Sequence, residues 1–445
     1  MSKTTRREFI KKSGFTLLTV GLSQQAFARH LKMAANSALT RAAALSTNDN
    51  MLVVIQLAGG NDGLNTVIPR GGTLRSQYEQ FRQATLEIPV ANILPIDNDA
   101  ANNQLGLHPS LQKIKGLYDQ KKVGVIQAVG YPTPNYSHFR SMDIWHSAYT
   151  QGLKATGWLG DYLDVSFPSN DNPLIAVSIG GSLPLSLRAK SITVPAIGNV
   201  DTYKFQADPR YADPNRPETR PEYNNRIQTF LALNREGAPE RVLYEQIRLT
   251  ALDAYDSSEE LQSGISQYVA DPSIVYPNNN PLARALQQVA RIVAGDLGTK
   301  ILYVSMGGFD THQTQATPNT PLTGTHATLL GYVSDAVDAF YRDMVRMGKD
   351  DKVLMMTWSE FSRKVRENGN FGTDHGASGP QFVFGTPVKG GVFGVHPGLT
   401  DLYPGQDATK HSIDFRSIYA TILEKWLAVD SHEIVGGSFE TLPFV

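Results

Sequence analysis

Two short stretches pair a carboxylate with an imidazole in a glycine-rich setting: Asp310-Thr311-His312 and Asp374-His375. Asp offers a hard oxygen and His a borderline nitrogen, a combination suited to a divalent metal ion, and flanking glycines let the backbone turn both side chains toward one ion. Residues two apart in an extended segment share a side, so Asp310 and His312 can reach the same ion. Asp62, inside Gly59-Gly60-Asn61-Asp62-Gly63, is a further candidate ligand, and Asn61 beside it is an amide able to meet an ion or an oxyanion. Ser137 opens the run Ser137-His138-Phe139-Arg140 where a helix is expected to begin. Unpaired amides and the helix dipole there favour an oxyanion or a serine alkoxide, and His138 and Arg140 could meet an anionic substrate. His396, after glycine-rich sequence and before Pro397, is the better turn-mounted choice for an additional ligand, with His411 as the alternative. Each signal alone has a plainer reading, because Asn and Asp in such turns bond their own backbone and Ser is a common helix cap.

What joins them is the element that precedes each. Apolar, β-branched runs at 52–57, 123–129, 301–305 and 353–356 read as buried strands that empty into these loops. Helical spacing at 107–118, 281–294 and 328–347, and a helix from Ser137 through Trp145, separate the strands. The strand–helix–strand unit spanning 301–356 should be parallel. In an open parallel sheet, ligands collect beyond the carboxyl ends of the strands, so the corners are expected to converge in one crevice. Short strands are expected at 174–179 and 381–384. A polar, Pro-rich stretch followed by helical spacing marks a largely helical insertion at about 202–270.

Composition narrows the chemistry. The 445 residues suffice for one large α/β domain, and the formal net charge of -1 gives no electrostatic reason to expect nucleic acid. Cysteine is absent, so any metal must be held by carboxylate, imidazole, amide or hydroxyl groups. Arg6-Arg7 is followed by the apolar SGFTLLTVGL and by Ala26-Phe27-Ala28, which reads as a twin-arginine signal over 1–28. A connector at 29–50 and a single domain at 51–445 follow. The expected destination is the periplasm or the medium, through the twin-arginine export machinery and with no stable membrane span after cleavage. No Gly-x-Ser-x-Gly elbow, P-loop or dinucleotide fingerprint is present.

The motifs GGNDGLNT (59–66), NYSHFRS (135–141), GWLGDYLD (157–164), GGFDTHQ (307–313) and SEFSRKVRENGNFGTDHG (359–376) resemble the bacterial, twin-arginine-exported domain-of-unknown-function family fifteen-oh-one. That family is in turn similar to the alkaline phosphatase and sulfatase superfamily. The resemblance implies an α/β three-layer sandwich with a mostly parallel central sheet. It also implies two divalent ions, zinc favoured over manganese, magnesium or calcium. Asp62, Asp374 and His375 would hold one ion, and Asp310 and His312 with a further His, His396 or His411, the second. Ser137 would be the nucleophile, with His138 and Arg140 beside it and Asn61 and Glu360 contacting the substrate, a small or polymeric anionic ester. The expected function is hydrolysis of phosphate or sulfate esters. Two other readings stay open: an exported binding or assembly protein that keeps the fold without turnover, and a metal-independent serine esterase using Ser137 with a nearby His.

Overall fold

The computed structural model describes residues 48–168, 172–204, 220–235 and 241–445. The signal-like segment, nearly all of the connector and parts of the insertion lie outside the described residues. The strands, in chain order, are β1 (Met51–Leu57), β2 (Val67–Pro69), β3 (Leu94–Pro95), β4 (Leu105–Leu107), β5 (Val123–Gly130), β6 (Ala176–Ile179), β7 (Ala196–Ile197), β8 (Ile301–Met306), β9 (Val353–Trp358), β10 (Gly379–Phe384), β11 (Gly391–Phe393) and β12 (Ile413–Asp414). Nine of them form one sheet in the order β11-β5-β10-β9-β1-β8-β6-β7, with β12 also paired to β5. β2, β3 and β4 form a small antiparallel sheet of their own.

All seven residues of β1 are buried because both faces of the sheet are covered. Val53, Ile55 and Leu57 enter one core and Leu52 and Val54 the other, the period-2 alternation of a strand between two helical layers. The first layer contains α1 (Gln112–Asp119), α2 (Pro281–Ala294) and α3 (Thr325–Arg346). On the second face lie α4 (His138–Ser147), α5 (Trp158–Ser166) and α6 (Phe415–Thr421). The result is the expected α/β three-layer sandwich. The helices Arg220–Arg235 and Val242–Ile265 occupy the stretch expected to be helical.

Direction matters more to the site than layering. β1 runs parallel to both β8 and β9. β10 is antiparallel to β9 and to β5, which restores β5 to the common direction. The carboxyl ends of β1, β5, β8 and β9 therefore share one edge, and the loops leaving them are the loops that carry the candidate residues. The 301–356 unit is parallel as expected, with β1 lying between β8 and β9. One expected helix starts late: Leu107 ends β4, Pro109–Leu111 is a 3-10 turn, and α1 begins at Gln112. Pro109 explains the break, since it pushes His108 out of the helical region, and the His108 ring then accepts from the Ser110 amide. Among the described residues no helix is long and apolar enough to cross a membrane.

Four histidines are built into this interior. Burial depresses His108 and His146 to about 3, and His326 and His396 to about 4, from 6.5. They are neutral in the fold, whereas the unfolded chain takes up protons near 6.5, so the stability they contribute is present above that pH and is lost as pH falls. Each should remove about 2 kcal/mol by pH 5. His375 and His411, also lowered by burial, act in the same direction, and His138, held above 6.5 by its hydrogen bond to Glu360, acts in the opposite one. The denaturant midpoint is expected to be flat from pH 8 to 7 and to drop between 6.5 and 4.5. A midpoint unchanged at pH 5 would contradict this assignment.

Candidate metal centre

The loops at the shared edge are clamped by Arg363, whose side chain has no exposure. Its Nε donates to the Gly60 carbonyl at 2.7 Å and Nη1 to the Thr373 carbonyl at 3.0 Å. Nη2 donates to the Phe309 carbonyl and the Asp310 carboxylate, at 2.8 and 2.7 Å, and to the Gly59 carbonyl. One planar cation thus ties the loops after β1, β8 and β9 together. Gly59, at φ 122, permits this closeness, since a Cβ there would lie 2.3 Å from the Asp310 nitrogen.

Three histidines converge on this clamp, and each has one ring nitrogen already committed. His138, first residue of α4, faces the Glu360 carboxylate through Nδ1 at 2.7 Å. His375 faces the Tyr136 carbonyl through Nδ1 at 2.7 Å, and His312 faces Asp374 through Nδ1 at 3.0 Å. All three partners are oxygen acceptors, so Nδ1 carries the proton in each neutral ring and Nε2 keeps its lone pair. The Nε2 atoms of His312 and His375 lie 2.8 Å apart. The Asp310 carboxylate is 3.2 Å from Nε2 of His312, 3.4 Å from that of His375 and 3.5 Å from that of His138. Nε2 of His138 is buried and has no hydrogen-bond partner. Ligand atoms of His138, Asp310 and His375 all fall within 4.8 Å of one another, and His312 joins the group through His375 and Asp310.

A divalent ion fits this donor set. Three imidazole lone pairs and a carboxylate suit zinc, and oxygen acceptors behind each Nδ1 fix tautomer and orientation as in metal proteins generally. Phe361 packs against the rings of His138 and His375, at 4.8 and 4.7 Å between centroids. Burial works to raise the Asp310 and Asp374 carboxyls, but Arg363 beside the first, and Asn368, His312 and Lys364 beside the second, hold both below the ordinary range. Burial pushes His375 down and outweighs the Tyr136 carbonyl. The site presents ionised carboxylates at neutral pH.

The expected residues divide clearly. His138, Asp310, His312 and His375 point at one another, and Asp374 and Glu360 stand behind two of the imidazoles. Asp62 does not join them. Fully buried, it receives Nη1 and Nη2 of the equally buried Arg82 at 2.5 and 2.8 Å, and Nε2 of Gln315 at 2.5 Å. A guanidinium already balances its charge. His396 is buried elsewhere, its ring bonded to the Pro397 carbonyl and its amide to Asp99, while His411 bonds Tyr403. Asn61 is spent internally on Thr66 and His326. Glu360, expected at the substrate, is wholly buried and accepts from the Gly59 amide as well as from His138. Of the residues expected to divide between two ions, Asp62, His396 and His411 stand apart, and Asp310, His312 and His375 gather in one cluster with His138. Ser137 is exposed, occupies the cap position of α4 without a side-chain capping bond, and sits between Tyr136 and His138, both of which touch the cluster. Arg140 turns to the Thr150 carbonyl at 3.1 Å. Sequence reasoning missed Arg363, Arg82, Gln315 and Asn368.

Residues 49–439 match the family described as "Protein of unknown function (DUF1501)". The chain belongs to the DUF1501 family. No protein of curated function matches this family member. Among solved structures it is similar to the phosphonate monoester hydrolase SpPMH from Silicibacter pomeroyi, at 9% identity and TM-score 0.38 over 89% of this chain and 76% of the other. It is also similar to the PsFucS1 sulfatase from Pseudoalteromonas sp., at 10% identity and TM-score 0.36 over 94% and 74%. The alkaline phosphatase from the Antarctic bacterium TAB5 follows at 10% identity and TM-score 0.29, over 78% and 95%. Overlays this loose carry no argument about activity, which must come from the cluster itself.

The geometry separates a ligand from its support. Asp310→Ala is expected to abolish metal binding, whereas Asp374→Ala, which removes the partner behind His312 and the acceptor of Asn368 but no ligand, should weaken it by about 10–100-fold. Titration of each variant with zinc against a competing chelator checks this. Equal, complete loss in both would make Asp374 a ligand and redraw the cluster.

Proposed function

We propose that this chain is a metal-dependent hydrolase of phosphate or sulfate esters built on a single ion held by His138, Asp310, His312 and His375. The observation that carries the reading is the commitment of all three Nδ1 atoms to oxygen acceptors, which leaves three Nε2 lone pairs aimed at one carboxylate. When bound, the ion supplies positive charge that polarises an ester oxygen. Ser137 supplies the nucleophile. Its hydroxyl is free of capping duty, it neighbours a proposed ligand, and the amides that open a helix favour the negative charge it must develop. A divalent ion together with Arg363 and Lys364 outweighs Asp310, Asp374 and Glu360 by one charge, which suits an anionic substrate. Glu360 orients His138 and holds its proton on Nδ1, and Arg363 keeps Asp310 ionised and aimed. Export through the twin-arginine machinery belongs to the same proposal and rests on the sequence of residues 1–28.

A second reading is favoured by one contact. Glu360, His138 and Ser137 are the residue types of a serine esterase, and the Glu360–His138 bond is already formed at 2.7 Å. Against it, the free Nε2 of His138 faces Asp310.

The test uses the chain loaded with zinc or manganese and a panel of p-nitrophenyl phosphate, bis-p-nitrophenyl phosphate and p-nitrophenyl sulfate, with p-nitrophenyl acetate as the carboxylic ester a serine esterase takes. Turnover of at least one phosphate or sulfate ester is expected. Chelation should abolish it, His375→Ala should remove both ion and activity, and Ser137→Ala should lower kcat by about a hundredfold or more with the ion retained. Activity that survives chelation and His375→Ala but not Ser137→Ala would establish the esterase. A loaded chain inert on every ester would leave the binding reading.

A further inference from the structure

Two phenylalanines with exposed surface neighbour cluster-bearing segments in the chain and take no part in the cluster. Phe139 directly follows His138 and is 86% exposed, more than any other large apolar side chain among the described residues. Phe371 belongs to the loop that carries Asp374. That loop is pinned to the opposite part of the site, because Asn368 Nδ2 donates to the His312 carbonyl at 2.8 Å and to Asp374 at 3.1 Å. Gly372 approaches so closely that a Cβ on it would lie 2.3 Å from the His312 carbonyl carbon. His138 arrives from β5 and His312 from β8, with β10, β9 and β1 between them in the sheet. The two rings are therefore carried to one cluster by loops from separate parts of the sheet edge.

The fold does not explain Phe139, which at 86% exposure contributes little burial. Phe371 keeps 37% of its surface exposed and sits at φ 55, a left-handed conformation that is strained for a bulky side chain and that Gly or Asn adopts more readily. It is the only aromatic residue in that region among the described residues. Strain of this kind clusters at active sites and ligand clamps. We propose that Phe139 and Phe371 grip the organic part of the substrate, so that the site takes an anionic ester whose organic group is an aromatic or similarly flat apolar ring. The inference rests on the metal-dependent hydrolase reading. It assigns the anionic head to the cluster and the helix start, and the ring to the two phenylalanines by offset stacking.

Phenylphosphonate and methylphosphonate carry the same anionic head with and without a ring, and neither is hydrolysed. Calorimetric titration of each into the zinc-loaded chain is expected to show a preference of about tenfold for phenylphosphonate. Phe139→Ala and Phe371→Gly should each shrink that preference severalfold while leaving methylphosphonate affinity and zinc content unchanged. The thermal midpoint of Phe371→Gly weighs the relief at φ 55, which Gly takes without steric cost, against the loss of the covered part of the ring. If both phosphonates bind the wild type equally, or the preference persists in both variants, the inference is overturned and the hydrolase reading stands. A lowered midpoint with an intact preference in Phe371→Gly would make Phe371 structural and also overturn it. If neither phosphonate binds the loaded chain, the hydrolase reading fails and takes this inference with it.

Discussion

The positive charge of Arg363 sits inside the protein with no access to water, and it must be met there by acceptors of the right number and geometry. Five contacts meet it: four backbone carbonyls and the Asp310 carboxylate. Because those acceptors belong to loops from three strands, satisfying the guanidinium fixes the loops relative to one another. The imidazoles then converge as a consequence, since His312 lies two residues beyond Asp310, and Arg363 pairs in an antiparallel bridge with His375. A Lys at this position would offer a point charge without the planar fork and would leave carbonyls unpaired.

The same logic, applied again nearby, takes one candidate carboxylate out of the cluster. Arg82 donates through two nitrogens to Asp62, and both groups are fully buried. Its helix, Gly72–Leu86, is interrupted by non-helical Gln83 immediately after Arg82. With that carboxylate already balanced, the remaining donors near the strand ends form one cluster. Two buried arginines thus have different effects: Arg363 presents its carboxylate to the site, and Arg82 withdraws one from it.

Much of this was legible in the sequence. Strands with both faces buried must be continuously apolar, so 52–57, 123–129, 301–305 and 353–356 announced themselves, and the parallel order placed their loops at one edge. Asp310, His312 and His375 were readable as candidates because glycines and short spacings mark turns, and Asp374 stood out in the same way although it stands behind His312. What the sequence did not reveal were pairings between distant residues. Asp62 has the same local grammar as Asp310, yet its fate is set by Arg82 on a helix with no motif, and nothing in residues 359–376 distinguishes buried Arg363 from exposed Arg366. His396 looked like a ligand by its turn, but burial beside Asp99 uses it for packing. Glu360 lay in the right motif with the wrong role, because exposure, which separates a substrate contact from a support, is not written in local sequence.

The central claim is that three imidazole nitrogens and one carboxylate share one ion. X-ray absorption on the zinc-loaded chain reads that shell directly. The account predicts about four nitrogen or oxygen ligands at roughly 2.0–2.1 Å, with the outer-shell scattering of about three imidazoles. A shell made of oxygens alone, a single imidazole, or a second zinc neighbour would contradict it.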